Sequence, residues 1–472
     1  MPTLHPPPSN PLARIAQFLL RRRWLILLLA SPFLLFPSPS TAPMLLIVPG
    51  LGLFFWITGA KPFTRTPLNP AILVLSAMML VSLWMTYDVA ISLPKIAGVI
   101  LGVGAFDCVA SYGARARGWW IGLAAFLIVG LGVAFAGLIG TQWAIKFDRL
   151  IPFTDQFEPR LTGLPGVEKG ISPNEVAGAL LWVIPVCSAL ALIGLMQLKN
   201  RTAPRRWLAP LNLLVWEATI FIVLVFLLCQ SRTAYLALAL TVLVGVFGLT
   251  WHQRRWRVGA MLALGILGAL VAWSYQADPA TRDASGNLQI AGSSMSFDTF
   301  NGRDQIWARA WIGIAQYPLT GMGMNTFRYR MTELDPQHPI YAGRDIAHAH
   351  NELLQAALDL GVPGLLALIG MYVIAFALLR RVWTRAAETR APDFILRDAR
   401  ARRWLVLGLG GGLFAHLVYG MTDAVALGAK PGILFWMLLG LIAGLDCHSD
   451  HCHSERSAES PRIAGDPARS LP

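Results

Sequence analysis

The chain has 472 residues, of which 55% are hydrophobic and only 14% charged, and its mean hydropathy is positive. That balance excludes an ordinary soluble domain and predicts an all-α fold, one polytopic transmembrane helical bundle without a soluble core. The net charge of +13 does not read as nucleic-acid binding, because the basic residues gather at membrane edges and form no aromatic-basic module.

Apolar runs long enough to cross a hydrocarbon layer of about 30 Å, roughly 20 residues each, fall in chain order at residues 24–40, 43–60, 68–86, 89–112, 118–140 and 174–198. Further runs lie at 210–230, 233–251, 258–275, 361–380, 404–421 and 431–446, about twelve spans in all. Arg21, Arg22 and Arg23 precede the first and Pro32 and Pro37 interrupt it. No small-residue cleavage site leads from it into a soluble domain, so it is expected to be retained. In the fourth, Lys95 beside Pro94 is expected to snorkel to the outer interface. Cys108, Cys187 and Cys229 lie in spans and read as small packing residues, so the five cysteines give no disulfide framework. The run from Cys447 to His453 crowds zinc-type ligands together with no fold to space them, and no metal is expected. Residues 1–446 thus read as the membrane domain and 447–472 as a disordered tail.

Lysine and arginine resist translocation and favour cytoplasmic loops. Arg14 with Arg21–Arg23, Lys61 with Arg65, Arg115 with Arg117, Lys199 with Arg201, Arg205 and Arg206, Arg254 with Arg255 and Arg257, and the series from Arg380 to Arg403 occupy every second connection. Both termini are therefore expected to be cytoplasmic. The outward connections are the turns near 41, 87, 231 and 425 and two long loops, 141–173 and 276–348, the second lying between the ninth and tenth spans.

The residues with chemical potential sit on those outward connections. The loop 141–173 carries Arg160-Leu-Thr-Gly163 and ends in Ser172-Pro-Asn174. Pro173 can open a helix that Ser172 or Asn174 caps, and Arg160 can bind phosphate or pair with Glu158. Ser231-Arg232-Thr-Ala-Tyr-Leu236 puts a guanidinium at a turn between two uncharged spans, where it costs several kcal/mol unless an anion, a distant carboxylate or carbonyls satisfy it. Arg303 lies in Gly302-Arg-Asp-Gln-Ile-Trp307, at the start of an amphipathic helix whose wet face would carry Arg309, Arg328, Arg330 and Arg344. Pro318-Leu-Thr-Gly-Met-Gly-Met-Asn325 follows, with a glycine pair that reads as a structural turn. His348-Ala-His350-Asn351 then precedes Gly361-Val-Pro-Gly364 at the mouth of the tenth span.

In order and spacing these elements, the His-Asn-x9-Gly-x-x-Gly element above all, resemble the O-antigen ligase and polymerase superfamily from about Arg160 through Tyr372. The resemblance implies a GT-C-like membrane glycosyltransferase in the bacterial cytoplasmic (inner) membrane, with a large outward catalytic loop. It implies transfer of a polyprenyl (undecaprenyl) diphosphate-linked glycan to a hydroxyl of a glycan or lipid-core acceptor, as in lipopolysaccharide assembly in the cell envelope. His350 is the expected general base, with His348 as backup. Arg232, Arg303 and Arg160 are the expected diphosphate ligands, and Asn351 and Asn174 supporting groups. Neither cofactor nor metal is implied. A carboxylate-poor first outward loop argues against a transferase that uses polyprenyl monophosphate sugars, and the lack of an added outward domain weighs against a protein O-oligosaccharyltransferase. The non-enzymatic alternative is a lipid or polysaccharide transporter, which would use arginines equally but would not require a histidine base.

The alternation of basic loops makes a topological prediction. A cysteine introduced at Ser285 should react with a membrane-impermeant thiol reagent in intact cells, and one at Ala387 should not; reversed labelling overturns the orientation.

Overall fold

A computed structural model describes residues 10–38, 40–60, 63–113, 118–141, 143, 170–199, 205–250, 259, 261, 288–290, 293–295, 298–336, 346–385 and 398–459. In chain order the helices are α1 (Pro11–Arg21), α2 (Arg23–Leu35), α3 (Ile47–Ile57), α4 (Asn69–Met85), α5 (Val89–Gly113), α6 (Gly118–Gly140), α7 (Pro173–Lys199), α8 (Arg205–Leu228) and α9 (Arg232–Thr250). A short antiparallel hairpin, β1 (Leu288–Ile290) and β2 (Ser293–Met295), follows. Then come α10 (Asp298–Gln316), α11 (Phe327–Leu334), α12 (Glu352–Arg385), α13 (Ala399–Gly420) and α14 (Ile433–Glu459).

The helical membrane architecture matches the expectation from composition. Among the described residues six helical segments are long and apolar enough to cross a bilayer: Val89–Gly113, Gly118–Gly140, Pro173–Lys199, Leu208–Leu228, Glu352–Arg385 and Lys430–Cys447. Arg23–Leu35, Asn69–Met85 and Arg232–Gly248 are apolar but shorter. The second expected span, 43–60, is divided into a 3-10 turn and the 11-residue α3. The ninth, 258–275, falls outside the described residues apart from 259 and 261, as does Arg160. At the other end α14 continues to Glu459, into residues whose composition suggests disorder; of the Cys/His run only Cys447 has a described side chain.

The core forms where α14 lies along α5 and α13 along α7. Trp119, Trp182, Tyr419 and Trp436 are fully buried there. Two ends of the bundle are distinguished by what meets across them. At one, connections expected to be cytoplasmic are pinned together: Arg23 pairs with Asp107, whose other oxygen accepts the Thr64 N–H at 2.8 Å, and Arg381 lies 3.8 Å from Asp446. At the other, connections expected to be outward converge. Thr141 bridges Ile171, Thr86 meets Thr326, and Asn174 reaches Asp423.

The large loop is docked at that second end through a break in α12. Gly361 adopts φ 68° and ψ 179°, and Pro363 supplies no N–H, so the helical hydrogen-bond ladder is interrupted at membrane depth. The glycine turn after α10 repairs it. The Val362 N–H donates to the Pro318 carbonyl and the Met322 N–H to the Leu358 carbonyl, both at 2.7 Å. This closeness requires glycine on both sides: a Cβ at Gly321 would stand 2.6 Å from the Gly361 nitrogen, and one at Gly361 would stand 2.7 Å from the Leu319 carbonyl. The turn is thus structural, as its sequence suggests. Gly361→Ala should lower stability by about 1–3 kcal/mol, from left-handed backbone strain and the clash. Thermal unfolding in detergent measures this against Gly370→Ala, whose added methyl meets only Ala71 at 3.8 Å; equal melting temperatures in the two variants would refute the docking argument.

Candidate functional site

The convergent end is organised around Asp423, in the connection after α13 and only 1% exposed. Its Oδ1 accepts the Ala424 N–H at 2.9 Å and lies 3.3 Å from His350 Nδ1 and 3.8 Å from His348 Nε2. Its Oδ2 accepts the Asn174 amide N–H at 3.0 Å and stands 3.9 Å from Arg303 Nη2. Four segments that are remote in sequence therefore meet on one carboxylate.

The turn that presents the histidines is held from several sides. His350 has φ 49°, a left-handed conformation unusual for a residue with a side chain. Its N–H donates to His348 Nδ1 at 3.1 Å, the Ala349 N–H to Gln355 Oε1 at 2.8 Å, and Trp307 Nε1 on α10 to the Ala349 carbonyl at 3.0 Å. Asn351 caps α12 through its Oδ1, which accepts the Leu353 and Leu354 N–H groups, while its Nδ2 donates to the Met421 carbonyl at 2.9 Å. These contacts fix the proton positions. A backbone N–H can only donate, so His348 Nδ1 accepts and its proton sits on Nε2, toward Asp423. A carboxylate can only accept, so His350 Nδ1–H donates to Asp423 and leaves the Nε2 lone pair available.

The electrostatics agree. Burial pushes the His348 imidazole down to about 4; Asp423 opposes this, and His350, Lys95 and Arg303 lower it further. Burial alone would raise the Asp423 carboxyl, but the hydrogen bond from His350 and the electrostatic influence of His348, His350 and Arg303 hold it at about 2. His348, His350 and Asp423 also offer one ligand atom each within 4.8 Å of one another. That donor set suits a zinc-type ion. Such an ion would replace the Nδ1–H contact to Asp423 and sit beside the Arg303 guanidinium.

Residues 218–369 match the family model described as O-antigen ligase. The match supports the O-antigen ligase and polymerase superfamily. No curated protein matches the chain. The O-antigen ligase region runs from α8 into α12 and contains Arg232, Arg303, His348, His350 and Asn351. Lys95, Asn174 and Asp423, which complete the constellation, lie outside it.

Of the residues singled out from sequence, His348, His350, Asn351, Asn174 and Arg303 are brought together. Asn174 binds Asp423, where the sequence suggests helix capping. Arg232 opens α9 directly after a buried turn, Gln230 and Ser231. Arg309 departs from the expected wet face: it is 3% exposed and lies 3.5 Å from Asp335. Lys95 is half-buried and its charge acts on His348, which fits a side chain that snorkels toward the outward end. Asp423 escaped sequence reasoning altogether. The available signal was a carboxylate at the outer end of a span in a chain with so few charges.

The shifts carry a stability prediction. His348 binds a proton less readily folded than unfolded, so its stabilising contribution is complete above its ordinary pKa of 6.5 and is lost as pH falls toward about 4. The Asp423 contribution is complete above 3.8 and lost as pH falls toward about 2. The melting temperature should drop by several degrees between pH 6.5 and 4, and His348→Gln should flatten that descent while sparing the steeper loss at lower pH. An unchanged slope in the variant would contradict the neutral, buried His348.

Proposed function

We propose that the protein transfers a polyprenyl diphosphate-linked glycan to an acceptor hydroxyl on the extracytoplasmic face of the bacterial inner membrane, with both termini cytoplasmic. The observation that carries this reading is the His350–Asp423 contact, with Arg303 at the carboxylate's second oxygen. His350 Nε2 takes the proton of the acceptor hydroxyl as its oxygen bonds to the first carbon of the glycan, the bond from that carbon to the diphosphate breaks, and polyprenyl diphosphate departs with the electron pair. Direct displacement inverts the anomeric carbon. Asp423 orients the imidazole and stabilises the imidazolium that forms, as a buried carboxylate does beside other catalytic histidines. Charge accumulates on the leaving diphosphate, and guanidinium groups bind such oxygens in pairs while staying protonated. Arg303 stands at the carboxylate that anchors the base, Lys95 adds charge from α5, and Arg232 and Arg160 are assigned to the donor's diphosphate. Each preorganised donor of this kind is worth about 10²–10³ in rate. Because the donor already carries a good leaving group, neither ATP nor a divalent metal is required. The acceptor is a lipid-core sugar for a ligase or a second glycan unit for a polymerase.

The test supplies purified protein with lipid-linked donor and separate acceptors, and identifies products by mass spectrometry. His350→Ala should keep donor binding and lower transfer by about 10²–10⁴. Asp423→Asn should act in the same direction and move the acidic limb of the pH–rate profile to lower pH, His350→Ala should lose that limb, and a chelator should leave parental transfer unchanged. Parental transfer by His350→Ala with the parental pH profile would return the transporter reading, and chelator-sensitive transfer would assign the His348–His350–Asp423 group to a metal.

A further inference from the structure

The first turn of α12 carries half of a buried ionisable pair that the proposed chemistry does not use. Glu352, 4% exposed, opens the helix two residues after His350, and its Oε2 lies 3.2 Å from Nε2 of His416, a fully buried residue of α13. His416 Nδ1 stands 3.0 Å from the Gly178 carbonyl on α7, and its ring stacks on Trp182 of the same helix with centroids 3.8 Å apart. A carbonyl only accepts, so Nδ1 carries a proton and Nε2 is the atom turned to the carboxyl group. Gly420 lets α12 and α13 close here, since a Cβ on it would stand 2.6 Å from Glu352 Oε2.

Packing does not explain the pair. Glu352 Oε2, His416 Nε2, Trp182 Nε1 and the Tyr372 hydroxyl are all buried, and none is in a well-aligned hydrogen bond among the described residues. Buried polar atoms in that state destabilise a fold, and an apolar pair of similar size would pack at least as well. The location of the pair is more telling. It joins the three helices that deliver the site: His350 and Asn351 precede α12, Asp423 follows α13, and Asn174 lies in the first turn of α7. The Tyr419 hydroxyl, on the turn of α13 between His416 and Asp423, donates to the Asn174 carbonyl at 2.7 Å, and the Asn174 amide binds Asp423. A directional contact fixes the rotation of one helix against another, whereas apolar side chains let it slide. A rotation of α12 that parted Glu352 from His416 would also swing the His350 imidazole away from Asp423 Oδ1, which now lies 3.3 Å from Nδ1.

We infer that Glu352 and His416 are positioning residues for the transfer proposed above: their contact sets the rotation of α12 against α13 and α7, and so keeps His350 Nδ1 aligned with Asp423. The effect on rate rests on that transfer reading. The effect on His350 is measurable without it.

Purified full-length protein tests this with two readouts. One is transfer from the lipid-linked donor. The other is the nitrogen NMR spectrum of histidine-labelled protein, in which His350, identified by its loss in His350→Ala, reports whether its proton is held on Nδ1. Glu352→Met keeps the size of the side chain and removes the polar contact. It should lower kcat by about 10²-fold, the cost of misplacing a reacting group by about 1 Å, leave KM for the donor unchanged, and turn the His350 signal from the Nδ1–H form into a mixture of tautomers. Glu352→Gln, whose amide still donates to His416 Nε2, should keep most of the rate and the parental signal. The double variant Glu352→Met with His416→Leu removes the buried polar pair together. It should melt at or above the parental temperature and still show the low kcat and mixed tautomers, and it carries the test if Glu352→Met alone does not fold. A mixed His350 signal in these variants with no transfer by the parent would uphold the positioning link and remove the catalytic reading. Parental kcat with a parental signal in a folded Glu352→Met or double variant would overturn the inference, as would a lowered rate with the His350 signal unchanged. A rate that falls only in step with melting temperature would overturn it as well, assigning the pair to stability.

Discussion

Burial of the Asp423 carboxylate is the constraint from which the arrangement of this end of the bundle follows. A nearly inaccessible charge costs several kcal/mol unless hydrogen bonds and opposite charge compensate it. Here the compensation comes from Asn174 on α7, Arg303 on α10, the two histidines before α12, and the backbone at Ala424. None of these groups could satisfy Asp423 alone. Their convergence ties the large loop to the membrane helices and makes the geometry of the histidine turn a condition of stability. The same arrangement explains why its members lie so far apart in sequence. A carboxylate at a helix end can gather partners from several connections, whereas partners within a single helix would reach only one of its faces.

Backbone strain marks the same end of the molecule. Among the described residues, Gln230, Asn325 and His350 are the non-glycine residues with positive φ, and all three lie in connections expected to be outward. Each such conformation costs of order 1 kcal/mol and persists only where surrounding contacts over-determine it. Asn325 shows how this is done: its N–H donates to Asp359 Oδ1 at 3.1 Å and its side-chain amide to the Ile91 carbonyl at 3.1 Å. The neighbouring Met324 receives the Ser92 hydroxyl on its carbonyl and donates its N–H to the Ser82 hydroxyl. The loop therefore sits on α4 and α5 through polar groups that would otherwise be unsatisfied inside apolar helices. That seat brings α5, and with it Lys95, within electrostatic range of His348.

The membrane class and the identity of the histidine turn are legible in the sequence because each rests on local pattern: long apolar runs, alternating basic loops, and fixed spacing around His350 and Gly361. What is not legible depends on three-dimensional choice. Arg309 has the helical spacing of a wet face, yet α11 covers it and Asp335 pairs with it. Asn174 has the position of a cap, yet a carboxylate 249 residues away takes its amide. Lys95 is close enough to a helix end to snorkel, and only the packing of α5 against the docked loop shows that His348 lies within range of its charge. Asp423 itself belongs to no local pattern. Span counting is limited in another way, since hydropathy marks apolar runs without showing where proline, glycine or a 3-10 turn divides one, as in residues 43–60.

The structure also bears on which histidine can act as a base, a choice that sequence leaves between two residues two positions apart. His348 uses Nδ1 to accept the His350 N–H and directs Nε2–H toward Asp423, so it has no lone pair to offer unless the left-handed turn opens. Its low pKa makes the point sharper: the group stays neutral through the physiological range, but its basic nitrogen is spent on the backbone. His350 is the complement. Its Nδ1 is occupied by Asp423, and Nε2 has no hydrogen-bond partner among the described residues, on a side chain 30% exposed. A neutral imidazole with one nitrogen anchored and the other open is the form suited to receive a proton. The two histidines thus divide the work, and the division follows from the turn: His348 spends its basicity holding His350 at φ 49°, and that conformation is what aligns His350 with Asp423.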